Sequence, residues 1–143
     1  MTALSADKLR ETQGTAQRGY GPAGVDIFYV GAMLCFDATG YLVPAADAAN
    51  LNFAGICSGY VDNSAGSAGD VDVEFEHGMV EKVAFSGSVT LAMGGESVTV
   101  ADDATVELAG VSTNDVEVGT IERWEAGFVW VACRRGYAAT PAA

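Results

Sequence analysis

From Val25 onward the chain alternates between short runs of strand-forming residues and turn residues, the pattern of an all-β sandwich or barrel. "VDIFYV" is rich in strand formers. "MLCF", "DATG" and "YLVPA" read as a hairpin, with Asp37 and Gly40 in the turn and Pro44 at a strand end. "AADAANLN" reads as a loop or one helical turn. "FAGICSGYV" follows as a strand whose two glycines mark a bend or bulge, and "DNSAGSAGD" as a long exposed loop. "VDVEFE", the turn "HG" and "MVEKVAF" alternate strictly and predict a further hairpin. "SVTLA", the turn "MGGE" and "SVTV" predict another, and "ADDA" leads into "TVELAG". The last pair is "VEVGTIERW" and "FVWVACR", joined by "EAG". No long helix fits this body.

The first 24 residues read differently. "MTALSADKLRETQGTAQRGYGPAG" is polar, with Leu4 and Leu9 as its main apolar side chains before Tyr20. Residues 3–12 suit a short helix, too short to be stable alone in water. The expected organisation is a flexible N-terminal arm over 1–24, a β domain over 25–133 and a C-terminal tail over 134–143. The fold class is therefore all-β: a small antiparallel β-barrel or β-sandwich with an extended N-terminal arm.

Charge sharpens this division. The chain of 143 residues carries a formal net charge of -12. Residues 25–133 hold only Lys82 and Arg123 as cations against 17 acids, whereas the arm has net +1 and the tail net +2. An acidic body repels phosphates and argues against direct nucleic-acid binding. No apolar run reaches the roughly 18–20 residues of a membrane helix. The opening "MTALSADKLR" lacks a secretory apolar stretch, which predicts a chain not exported by the Sec route.

The candidate chemistry is sparse. Asp70, Asp72, Glu74 and Glu76 alternate with Val71, Val73 and Phe75. Residues i and i+2 of a strand lie about 6.6–6.8 Å apart, too far for neighbouring carboxylates to grip one cation unaided. A wet face of an antiparallel sheet accounts for the row, ahead of a weak divalent-cation site or a catalytic pair. Like charges there also oppose edge-to-edge aggregation. Cys35, Cys57 and Cys133 are odd in number, form no CxxC pair and lie in apolar runs, so they read as small buried thiols. His77 reads as an exposed turn histidine. Trp124 and Trp130 flank the last turn and read as packing anchors, with carbohydrate stacking as the functional alternative. No phosphate loop, nucleophile elbow, zinc-protease motif or EF-hand loop is present. No catalytic residue, cofactor or metal site is expected, and the chain reads as a non-enzyme.

The order of "GAMLCFDATGYLVPAADAANLNFAGICSGYVDNSAGSAGDVDVEFEHGMV", "ADDATVELAG" and "VEVGTIERWEAGFVWVAC" resembles the capsid cement, or head decoration, proteins of tailed bacteriophages. The resemblance covers roughly residues 25–133. It implies a structural virion protein, assembled in the bacterial host cytoplasm, that binds the outside of the mature head as a homotrimer. Its implied partner is the major capsid protein, whose neighbouring subunits it clamps. The alternative is a carbohydrate-binding, adhesive β domain displayed on the phage particle. For capsid contact the candidates are Lys8, Arg10, Arg18 and Tyr20 in the arm, and Arg134, Arg135 and Tyr137 in the tail. There, arginine forks would meet capsid carboxylates and tyrosine would anchor.

Overall fold

The computed structural model describes residues 3–8, 12–13 and 17–133. Within them lie thirteen strands: β1 (Thr12–Gln13), β2 (Gln17–Pro22), β3 (Ile27–Phe28), β4 (Met33–Phe36), β5 (Leu42–Pro44), β6 (Asn52–Cys57), β7 (Val61–Asp62), β8 (Asp72–His77), β9 (Val80–Phe85), β10 (Ser97–Asp102), β11 (Thr105–Leu108), β12 (Glu117–Glu125) and β13 (Phe128–Cys133). The expected all-β class is what forms.

The strands build two curled sheets. In one, the order β9-β11-β10-β12-β13 returns to β9, closing a five-stranded barrel on whose rim β1 pairs with β9. Closure removes the free edges that an open sheet would expose. The β9–β11 pair is parallel and the barrel's other pairs are antiparallel. In the second sheet the order is β2-β8-β6-β4-β5, antiparallel throughout. Its two outer strands approach each other through a bridge between Ala23 and Leu42, where the Gly24 N–H donates to the Leu42 carbonyl at 2.8 Å. β3 and β7 form a separate two-stranded ribbon.

Two cores lie on either side of a shared wall made by β4 and β6. Met33, Cys35, Phe53 and Ile56 pack with Val83, Val98, Val106, Ile121 and Val131 of the barrel. Leu34, Ala54 and Cys57, which alternate with them in sequence, pack with Phe28, Leu42, Val73 and Phe75. Both faces of these strands are buried, and this is why "MLCF" and "FAGIC" read as continuous apolar runs rather than as alternation. Truncating a wall residue such as Phe53 to alanine is expected to cost about 3–5 kcal/mol.

Several expectations need correction. β8 and β9 both form, but they are not a hairpin: β8 pairs with β2 and β6, whereas β9 pairs with β13, β11 and β1. Both hydrogen-bonding edges of β8 are already occupied, so Gly78 (φ 81°) and Met79 form a corner between the sheets. "SVTLA" is not a strand. Its end is a single 3-10 turn, Leu91–Met93, with Leu91 exposed. "FAGICSGYV" divides into β6 and β7, and "VDIFYV" keeps only two residues as β3.

The N-terminal segment differs from the expected arm as well. Residues 3–8 are irregular rather than helical. They are tied to the body by backbone N–H groups donating to carboxylates: Leu4 N–H to Asp103 Oδ1 at 2.9 Å, and Val30 N–H to Asp7 Oδ1 at 2.8 Å. Residues 17–22 are an edge strand of the second sheet. The tail, 134–143, lies outside the described residues.

Candidate functional site

The acidic strand is β8, and its pleat sets the geometry. Val73, Phe75 and His77 point inward and are buried, while Asp72, Glu74 and Glu76 point outward. Asp70 precedes the strand and is used locally, its Oδ2 accepting from the Ser67 N–H at 2.9 Å. The outward row is not bare. β2 lies beside it with Pro22 opposite Asp72, Tyr20 opposite Glu74 and Arg18 opposite Glu76.

Glu74 is the hub. The Tyr20 hydroxyl donates to its Oε2 at 2.7 Å, and the Ser58 hydroxyl donates to its Oε1 at 2.7 Å. The Arg18 guanidinium stands 3.7 Å from Glu74 Oε2 and 3.8 Å from Glu76 Oε2. The hydrogen bond from Tyr20, followed by that from Ser58, holds the Glu74 carboxyl below its ordinary range, and Arg18 adds to the effect. The same bond to Glu74 holds the Tyr20 hydroxyl above its ordinary range. Tyr20 donates from its neutral form, so the pair shares one proton stably at neutral pH.

This arrangement is an interstrand latch. Its hydrogen bonds hold the Glu74 carboxyl below its ordinary range, the opposite of the raised value that suits a general acid. Among the described residues no three His, Cys, Asp or Glu side chains converge as metal ligands. The wet-face expectation is right about direction, but it overlooks the strand that covers the row. A signal was available: Arg18 and Tyr20 alternate with Gly19 and Gly21, a two-residue period inside a segment otherwise read as irregular.

Of the candidate contact residues, Lys8 is exposed at an open groove that it lines with Leu4, Phe85, Ser86 and Thr105. Arg18 and Tyr20 are exposed, and both are engaged with β8. Arg10, Arg134, Arg135 and Tyr137 lie outside the described residues.

His77 is a correction. It is 5% exposed rather than a surface turn residue, because it shares the inward parity of Val73 and Phe75. Its ring lies 5.8 Å from that of Phe75. Cys35 and Cys57 are buried as expected, and burial pushes their thiols up to about 12 and about 11, far from a reactive thiolate. Cys133 is half-buried.

The two tryptophans fall on opposite faces of the β12–β13 hairpin. Trp130 pairs with Arg123, whereas Trp124 pairs with the core residue Val129. On the outer face Arg123 lies over the Trp130 ring at 4.2 Å and Lys82 over the Phe128 ring at 4.9 Å. Glu125 joins them, 3.0 Å from Lys82 Nζ and accepting from Trp130 Nε1–H at 3.2 Å. Both cations of residues 25–133 are thus spent on one aromatic cluster of the barrel wall.

A third polar assembly joins the two lobes. The Asp47 carboxylate accepts from the Thr113 and Asn114 backbone N–H groups, each at 2.8 Å. Those bonds hold its carboxyl below the ordinary range. They pin the loop after β5 to the loop after β11.

No family model matches the chain, and no curated protein or solved structure is a significant match.

Proposed function

We propose that the protein is a structural component of a tailed-bacteriophage head. It binds the outside of the mature capsid as a homotrimer and stabilises the shell by clamping neighbouring major capsid subunits. One observation carries this reading: the motifs that resemble cement proteins follow one another in order along a single β body. "DATGYLVPAAD" spans the β4–β5 turn, "FAGICSGYVDN" begins in the shared wall, and "VGTIERWEAGFVWV" is the β12–β13 hairpin. The wall gives that body the stiffness a clamp needs. Its acidic surface suits a position outside the shell, away from packaged DNA. Many weak contacts on one particle would sum to a large gain in shell stability.

Lys8, Arg18 and Tyr20 are the described residues proposed to meet the capsid. A capsid carboxylate would have to compete with Glu74 and Glu76 for Arg18. A carbohydrate platform built from both tryptophans finds no support, since one sugar cannot stack on two indoles that face opposite ways.

Co-sedimentation tests the proposal. Purified protein is mixed with expanded heads lacking it and, separately, with unexpanded proheads. Saturable binding to expanded heads alone, with greater resistance of those heads to heat, is the expected result. Absence of binding to either particle would overturn it.

A further inference from the structure

The strand β2 is held to the body in an unusual way. Its inward positions are Gly19 and Gly21, where side chains have no room. A Cβ on Gly19 would stand 2.5 Å from Phe75 Cζ, and one on Gly21 would stand 2.7 Å from Leu42 Cδ1. Residues 17–21 therefore bring no apolar side chain to the core beneath them. Burial of apolar surface is the dominant stabilising term in a fold, and a strand without it belongs to the segments that open most easily.

What remains is the backbone ladder to β8 and the contacts of Arg18 and Tyr20 with Glu74 and Glu76. Arg18 is well exposed, so its two ion pairs are individually weak. The groups facing Glu74 from each neighbouring element are Arg18 and Tyr20 on β2, Cys57 and Ser58 at the end of β6, and Asp72 and Glu76 on β8 itself. Tyr20 and Cys57 are both pushed upward and stay neutral in acid. Glu74 is thus the group in this set whose charge ties the strap to pH.

We propose that β2 is a proton-released strap: protonation of Glu74 frees residues 17–22 from β8 while the barrel and the β4–β6 wall stay folded. Glu74 accepts from a hydroxyl at each of its oxygens. A proton on either oxygen makes one hydroxyl turn from donor to acceptor and removes the charge that strengthens both bonds, and the attraction for Arg18 disappears with that charge. The sign follows from the lowered Glu74 carboxyl. The latch is complete above the ordinary value of 4.5 and is lost as pH falls below it. Release leaves the β8 edge unpaired and uncovers the Phe75 ring, the two features that invite a new strand. This inference does not depend on the capsid reading.

Hydrogen exchange read by mass spectrometry, with rates corrected for pH, tests the strap on the full chain. Between pH 7 and about pH 3, protection of the amides of residues 17–21 should fall about tenfold or more, the scale of one lost hydrogen bond to a charged group. Amides of β4 and β6 should keep theirs. Glu74→Gln should show the low protection already at pH 7, and Arg18→Gln, which touches no core atom, a smaller loss. Unchanged protection of 17–21 in acid would overturn the proposal. So would its loss in step with β4 and β6, or wild-type protection at pH 7 in Glu74→Gln.

Discussion

The Tyr20 hydroxyl donates to Glu74 Oε2 at 2.7 Å across an antiparallel strand pair. One partner comes from a segment whose composition suggests a loose arm, and the other from a row of acids that suggests plain solvation. Together they make an edge strand and the carboxylate that retains it. Tyr20→Phe should leave the fold intact and let the Glu74 carboxyl rise towards its ordinary 4.5, because the first cause of its depression is removed. A carbon-detected NMR titration of the glutamate side chains reads this shift. A Glu74 titration identical to wild type would contradict the latch.

Arg123 covers the Trp130 indole, which is only 7% exposed. Arg123→Ala should shift Trp130 emission to longer wavelength and cost about 0.5–1 kcal/mol in urea unfolding, the usual worth of an exposed cation–π contact. Arg123→Lys should recover part of the loss, since a lysine keeps the charge but not the stacked plane.

Two glycines give opposite expectations. A Cβ on Gly55 would stand 2.3 Å from the Glu76 carbonyl oxygen, in the middle of the wall. Gly55→Ala should cost at least about 1–3 kcal/mol, as overpacking does. Gly94 has φ -57° and open space around its Cβ position. Gly94→Ala should therefore gain about 0.4–1 kcal/mol by restricting the unfolded chain. Thermal unfolding of the two variants beside wild type checks both.

Glu107, 8% exposed and opposite Thr99, has its carboxyl raised by burial first and then by Asp47, Asp102 and Asp115. A raised carboxyl binds its proton more tightly when folded, so it costs stability above that raised value and the cost fades as pH falls. Glu107→Gln should raise the melting temperature at pH 7, and the gain should shrink towards pH 4. A gain independent of pH would point to packing instead of charge.

The legible parts of the sequence were those where one face is wet. Alternation placed β8 and β9 and the β12–β13 hairpin, and "DATG" placed the β4–β5 turn. The wall was legible as apolar runs, but not as a wall, because periodicity is silent when both faces are buried. Pairing was the harder matter. "VDVEFE-HG-MVEKVAF" has the local pattern of a hairpin, and what prevents one is that β2 and β6 claim both edges of β8 from 50 and 20 residues away, roughly, in a chain with many competing strands. His77 was misplaced for the same reason: without a hairpin, the turn is a corner and the histidine completes a buried face. In the latch, the acids were visible but their partner was not, since glycine-rich polar strands carry little strand propensity.

The corner at Gly78 and Met79 has a consequence for how the chain reaches this state. Strands adjacent in sequence that do not pair cannot zip together as a fast local nucleus. β8 must wait for β2 and β6, and β9 for β11 and β13. Both searches close long loops before any contact rewards them, which places folding in the slow range of milliseconds to seconds typical of non-local β topologies. On the ribosome, β8 can dock as soon as it emerges, because β2 and β6 precede it, whereas β9 stays unpaired with the barrel until β11 and β13 have been made.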